Sequence, residues 1–214
     1  MTTRNRLLLA SCLTLALAAP RHAAAGQGFS VDAQGGYFAI SAAESAKAVL
    51  GSSSFGTFGG GLAYTFAKGF YFHAGVRVAS KDGERVFVAD PGGEVFKLGH
   101  PLSFRLVPLE FTLGYRFGRV GPFTPYLGVG GGVTSVKEES TVAGLTETES
   151  QSKGSGHVRA GLEYGRSALR FAVEAQWSSV PDAIGVGGVS KIYGESNVGG
   201  FTVLGKLIFT TARD

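Results

Sequence analysis

Between Gly156 and Trp177 the chain reads GHVRAGLEYGRSALRFAVEAQW. Arg159, Glu163, Arg170 and Glu174 fall on one alternating face. Val158, Ala160, Leu162, Tyr164, Leu169, Phe171, Val173, Ala175 and Trp177 fall on the other, with no charge among them. Successive side chains of a strand point to opposite sides, so this pattern predicts two strands joined by a tight turn. The same period of two recurs along the chain and predicts eight strands, near residues 28–40, 56–66, 70–79, 103–117, 123–136, 156–165, 168–178 and 198–209. No stretch shows a convincing 3.6-residue period, and none after the first 25 residues approaches 18 consecutive apolar residues.

The connections sort by length. Those at Ala67-Lys68-Gly69, Gly118 to Pro122 and Arg166-Ser167 are short; those near 41–55, 80–102, 137–155 and 179–197 are long and polar. Strict alternation of tight turns with long loops is the connectivity of an up-and-down transmembrane barrel, whose long loops share one side of the membrane. The faces agree. One face carries Phe58, Leu62, Tyr64, Phe70, Phe72, Val76, Val107, Leu109, Phe111, Leu113, Phe201 and Val203, and the opposite face carries Thr57, His73, Arg77, Glu110, Thr112, Arg116 and Lys206. A charge at mid-bilayer costs about 2–4 kcal/mol, so a charge-free apolar face is what lipid requires. Leu204 and Ile208 blur the alternation of the last strand. Tyr64, Phe66, Phe70, Tyr115, Phe117, Phe123, Tyr164 and Phe209 gather at the short-turn ends. Trp177, with Tyr37, Phe58 and Phe201, gathers at the long-loop ends, so an aromatic girdle is expected at each interface. A soluble sandwich burying the aromatic face is the competing reading; it leaves the charged face and its glycines unexplained.

A two-residue turn at Arg166-Ser167 would pair positions whose numbers sum to 333, setting Glu163 opposite Arg170 and Arg159 opposite Glu174. Other inward charges form two expected layers: Asp32, Arg116, Glu163, Arg170 and Lys206 below; Arg77, Glu110, Arg159 and Glu174 above. Eight strands enclose an interior that side chains can fill, and buried charge is tolerable only when paired. A lumen plugged by its own ion pairs is therefore expected. Gly128, Gly130 and Gly132 in YLGVGGGV point inward to admit long side chains, and a five-residue turn at 118–122 would lay Tyr126 over Gly114.

Composition adjusts this picture in three places. Glycine is high, at 34 of 214 residues, and charged residues make up 17%, against about a quarter in an average soluble domain. Residues 1–25, with Arg4 and Arg6 ahead of LLLASCLTLALAA and a small-residue site at Ala23 to Ala25, read as a cleaved export signal, followed by one domain over 26–214. A competing lipid-attachment reading of Leu9-Ala10-Ser11-Cys12 places the cysteine too early in the apolar run. Loss of the signal leaves 17 bases against 16 acids, so no nucleic-acid partner follows from the apparent basicity. Cys12 is the single cysteine, which excludes disulfides and thiolate metal sites in the exported chain.

VPLEFTLGYRFG (Val107–Gly118), leading through a turn into TPYLGVGGGV (Thr124–Val133), resembles the middle of the small outer-membrane β-barrel family, which includes the transmembrane domain of outer-membrane protein A and the opacity proteins. The resemblance spans about 28–209 and implies an all-β fold: an eight-stranded antiparallel up-and-down transmembrane β-barrel with short periplasmic turns and long extracellular loops, set among the outer-membrane lipids of a Gram-negative-type bacterium. One departure is that Phe209 is followed by TTARD, where such barrels commonly end on an aromatic residue.

Catalytic and metal motifs are not found. His73 and His157 face inward, away from lipid; no G-x-S-x-G elbow occurs, and the acids of KEESTVAGLTETES (Lys137–Ser150) lack calcium-loop spacing and read as a flexible solvated loop. No cofactor is expected. The expected function is non-enzymatic: a monomer serving envelope integrity or surface recognition and adhesion, with any extracellular ligand met by loops 80–102 and 137–155. In the first, KDGERVFVADPGGEVFKLG is expected to extend the wall as a hairpin about DPGG, with Phe87, Val95 and Phe96 touching one another. Alternatives are a narrow small-molecule conduit gated by the interior ion pairs, a lipid-modifying barrel enzyme and a soluble periplasmic lipocalin-like barrel.

Overall fold

A computed structural model describes residues 27–66, 69–142 and 144–211; the expected export signal and part of the turn at Ala67-Lys68-Gly69 lie outside them. Eight antiparallel strands close into a barrel in chain order. They are β1 (Gly28–Ile40), β2 (Ser54–Thr65), β3 (Phe70–Val88), β4 (Val95–Arg116), β5 (Phe123–Val142), β6 (Leu145–Tyr164), β7 (Leu169–Ser179) and β8 (Gly200–Thr210). Pairing of β1 with β8, from Ser30↔Thr210 to Ile40↔Gly200, removes both sheet edges.

The apolar faces point outward. Val31, Leu62, Phe72, Leu113, Val129, Val158, Val173 and Val203 are exposed around the wall, while the polar partners of the alternation are buried inside. The apolar band runs from Phe70 to Val78 on β3 and from Val107 on β4 to Phe117 just past its end. At ~3.3 Å per residue and a tilt near 40° this is roughly 20–25 Å, a hydrocarbon thickness. Leu204 and Ile208, which blurred the pattern, are buried in the lumen.

The wall is uneven in height. β3 to β6 have 19, 22, 20 and 20 residues, whereas β7 and β8 have 11 each. The extra length lies above the apolar band. The β3–β4 hairpin pairs as far as Val88↔Val95, with a register shift between Glu84 and Val86, and Phe87 lies opposite Phe96. Segment 137–155 is not the flexible loop expected: β5 and β6 stay paired up to Val142↔Leu145. Its Thr and Val residues have the strand propensity, and the acids among them masked it.

Two helices stand where only polar loop was expected: α1 (Ala43–Leu50) between β1 and β2, and α2 (Gly188–Ile192) between β7 and β8. α1 reads AESAKAVL, rich in the best helix formers, with Glu44 in its first turn and Lys47 in its last. It lies so close to β3 that a Cβ on Gly83 would run into the Val49 carbonyl.

The expected β6–β7 register is wrong by two residues. Glu163 pairs with Ala172, Arg159 with Gln176, and Gly161 with Glu174. The connection is four residues long, from Gly165 to Ala168, and Gly165 takes φ 130°, a conformation L side chains rarely adopt. Tyr126 likewise does not cover Gly114. Gly114 pairs with Gly128, Tyr71 covers both of those glycines, and Tyr126 covers Gly161.

Candidate functional site: the lumen and its mouth

Inward positions on adjacent strands bring the charged side chains together across the barrel. Asp32, Arg77, Glu110, Arg116, Arg159, Glu163, Arg170, Glu174 and Lys206 are all buried. Arg77 Nη2 donates to Glu110 Oε1 at 2.6 Å, and Arg159 Nη2 donates to Glu110 Oε2 at 3.2 Å. Lys206 Nζ donates to Glu174 Oε2 at 2.7 Å, with Arg159 Nη1 3.7 Å from its other oxygen. Nearer the turns, Glu163 lies 2.9 Å from Arg116 and 3.7 Å from Arg170. The pairs Arg159–Glu174 and Glu163–Arg170 thus meet diagonally, two residues off the straight-across register. The long side chains span an offset that the turn length alone could not disclose.

The two expected layers are not separate, since Glu174 and Arg159 link them. Neutral groups that sequence reasoning left aside complete the network. His73 Nε2 is 2.9 Å from Asp32 Oδ2, and its Nδ1 is 3.3 Å from Arg159 Nη1. His157 Nε2 is 2.8 Å from Thr112 Oγ1 and 3.3 Å from Arg159 Nη2. Gln176 donates to Glu110 at 2.7 Å, and Tyr126 donates to Glu174 at 2.9 Å. Arg116 bonds Thr65 and lies over the Tyr71 ring, 5.2 Å from its centroid. All these residues shared the inward parity, which was the signal available for finding them.

Cavities of about 30 and 20 Å³ lie on either side of this layer. The upper one has Arg77, Glu110, Thr134 and Ser155 in its lining, under Phe38, Leu106, Val180 and Val198. Above it the lumen becomes apolar. Phe38, Ile40, Phe55, Leu102, Phe104, Leu106 and Val136 from the strands pack with Ala42, Ala46 and Leu50 from α1 and its flank, and with Val180, Ala183 and Val198 from the β7–β8 segment. The two covering segments are tied together: Glu195 accepts from the amides of Glu44 at 3.1 Å and Ser45 at 2.8 Å. A carboxylate therefore caps the α1 N-terminus, where Ala42 offers no side-chain cap.

On the outer surface, aromatic rings line the short-turn end. Phe66, Phe70, Tyr115 and Phe117 form successive ring contacts of 6.0, 5.1 and 5.1 Å, and Phe123 meets Tyr164 at 5.4 Å. Phe29, absent from the expected set, joins Tyr64 at 4.7 Å. Phe209 is exposed at the same end; Trp177, paired with Phe201, is exposed at the other. No helix among the described residues is long and apolar enough to cross a membrane, and no cluster of His, Cys, Asp or Glu among them has the makings of a metal site.

A closed ring of eight strands, apolar outside and ionic inside, defines a membrane-spanning β-barrel of the bacterial outer membrane. The chain belongs to the outer membrane protein beta-barrel domain family, whose model matches residues 9–198. Among solved structures it is similar to the outer membrane protein OprG from Pseudomonas aeruginosa, at 12% identity and TM-score 0.55, covering 87% of this chain and 97% of that one. It is also similar to a major outer membrane protein from Thermus thermophilus, at 14% identity and TM-score 0.51, covering 86% and 98%. No curated protein matches it by sequence.

Proposed function

We propose that the protein is a non-enzymatic outer-membrane barrel whose lumen is closed and whose tall β3–β6 wall serves surface recognition or adhesion, with envelope integrity as the accompanying role. The observation carrying this reading is the division of labour among the long connections. Those at 41–53 and 180–199 fold into the mouth and pack apolar residues over the ion-pair layer. Those at the tops of β3–β6 remain paired as two upright hairpins that expose Phe87, Phe96, Leu98 and Leu145. Recognition surfaces usually sit on segments held by a rigid scaffold. A monomer suffices, because the barrel leaves no sheet edge at membrane level.

The test removes the hairpin tops (residues 86–97 and 139–148, each replaced by a two-residue turn) in cells that display the protein. Attachment to host or matrix surfaces is expected to fall while the barrel still migrates as a folded, heat-modifiable species. Attachment and detergent resistance both equal to those of the full-length protein would remove the reading. The cavities on each side of Arg159 favour a second reading, a narrow conduit gated by the ion pairs. It requires steady wild-type conductance in planar bilayers, changed by Arg159→Ala or Glu174→Ala; the closed-lumen reading expects none. Lipid-modifying chemistry is tested by lipid A mass spectra with and without the protein, which are expected to be identical.

A further inference from the structure

The barrel closes on itself at membrane level, but β3 to β6 rise beyond their neighbours, and the ribbon they form ends in two sheet edges. On the β3 side, pairing with β2 stops at Thr57↔Ala79. There α1 packs against the strand beyond, so near that Gly83 has no room for a side chain. On the β6 side, pairing with β7 stops at Gly156↔Ser179. From Leu145 to Ser155, β6 is paired with β5 alone, and among the described residues no backbone hydrogen bond reaches it from the β7–β8 segment. The hydrogen bond across that gap is made by a side chain, Gln151 donating to the Ala183 carbonyl.

An unpaired row of N–H and C=O groups is a template for another strand, and proteins usually blunt such edges with proline, lysines or a bulge. β6 carries little of this protection. It has no proline between Leu145 and Ser155, and Lys153 is its single base there. Its register with β5 runs unbroken from Phe123↔Tyr164 to Val142↔Leu145. Thr146, Thr148, Ser150, Ser152 and Gly154 are exposed on one face, and their short side chains do not screen the backbone. At ~3.3 Å per residue the bare edge is roughly 35 Å long.

Glu149 supplies the charge that selects among partners. It lies directly opposite Glu138 on β5, and like charges facing each other across strands are unfavourable. Glu147, on the same face, has Arg85 at 3.3 Å, whereas Glu149 has no ion pair among the described residues. Water solvates the edge but brings no counter-charge. A base on an added strand would stand directly across from Glu149 on its open side.

We propose that the free edge of β6 takes an extended segment of a partner protein as an added strand, and that this segment carries a lysine or arginine opposite Glu149. Main-chain hydrogen bonds then supply the attachment, and the charge supplies the selection. The inference rests on the recognition reading, for which it names the mode and the chemistry of the partner.

The experiment refolds the full-length protein into phosphatidylcholine vesicles and adds a fluorescent peptide of alternating threonine and lysine. Saturable binding is expected, with every second amide between Thr146 and Ser155 exchanging more slowly. Glu149→Gln, at an exposed position, is expected to weaken binding about two- to five-fold, the scale of an exposed ion pair. The same peptide with its backbone amides N-methylated keeps its charge and loses its donors, and is expected to leave β6 unprotected. Binding that survives N-methylation, equal binding of a threonine–glutamate peptide, or an affinity unmoved by Glu149→Gln would each overturn the proposal. Slowing of the same amides with rising protein density and no peptide would place a second copy on the edge, and would also overturn it. Absence of peptide binding removes strand addition, while attachment by the protein without its hairpin tops decides the recognition reading separately.

Discussion

The lower and upper halves of the lumen are built from the same strands with the same inward parity, yet they solve burial in different ways. Below, Asp32, Arg116, Arg159, Glu163, Glu174 and Lys206 meet across the barrel and neutralise one another. Above, Phe38, Ile40, Phe55, Leu102, Phe104 and Leu106 face inward with no polar partner, and segments from outside the wall fold in to cover them. The lower half is closed by its own strands, whereas the upper half needs α1 and the β7–β8 segment. Stability should accordingly be lost all at once when the lower half is disturbed, and locally when the cover of the upper half is loosened.

The largest effect is expected at Glu110, the acceptor for Arg77, Arg159 and Gln176. Glu110→Ala leaves two buried guanidinium groups short of a counter-charge, and breaking such a pair from one side costs about 3–5 kcal/mol. Urea unfolding in lipid vesicles measures this, and a loss below about 1 kcal/mol would mean that the network is not what holds the lower half. Leu106→Ala tests the apolar half. Leu106 is only 3% exposed and packs among the residues under α1, so about 2–4 kcal/mol is expected. Burial of strand amides in the lower half should stay unchanged in hydrogen exchange.

How far each half could be read from the sequence follows the same division. Charges at Arg159, Glu163, Arg170 and Glu174 fall four residues apart on each strand and share one side of the alternation, so both the strands and their inward face were legible. Which charge meets which was not, because the Gly165 conformation lengthens the turn and moves the register by two. In the upper half Phe38, Ile40, Leu102 and Phe104 are apolar on the inward face, so the alternation fades where the lid begins. α1 escaped notice because eight residues carry barely two turns of periodicity. The hairpin over 137–155 escaped because Glu138, Glu139, Glu147 and Glu149 suggested a solvated loop.

A smaller and more local effect is expected at Glu195, which joins the two covering segments. Glu195→Ala removes the acceptor of the Glu44 and Ser45 amides. Loss of a helix N-cap costs about 1 kcal/mol. Those two amides and the rest of the first turn of α1 should exchange faster, with β1 and β2 unaffected. Unchanged exchange would mean that apolar packing alone holds the lid.

The smallest effect concerns the ribbon above the membrane, where Glu138 lies directly opposite Glu149. Burial holds the Glu138 carboxyl above the ordinary glutamate range, the neighbouring Glu149 adds to this, and Arg85 opposes it in part. An acid whose folded pKa is raised holds its proton more tightly in the folded ribbon than in the unfolded one. Stability is therefore greatest at low pH and falls as pH rises from the ordinary glutamate value through the raised one. Glu138→Gln removes the ionisable group and should abolish that decline, making the ribbon more stable near neutrality by under about 1 kcal/mol, since the site is only half-buried. Amide exchange across Val136 to Ser140, measured between pH 4 and 7 and corrected for the intrinsic rate, reports it. A ribbon that grows firmer as pH rises in the wild type would contradict the burial of Glu138, and with it the view that β5 and β6 stand upright as a packed wall.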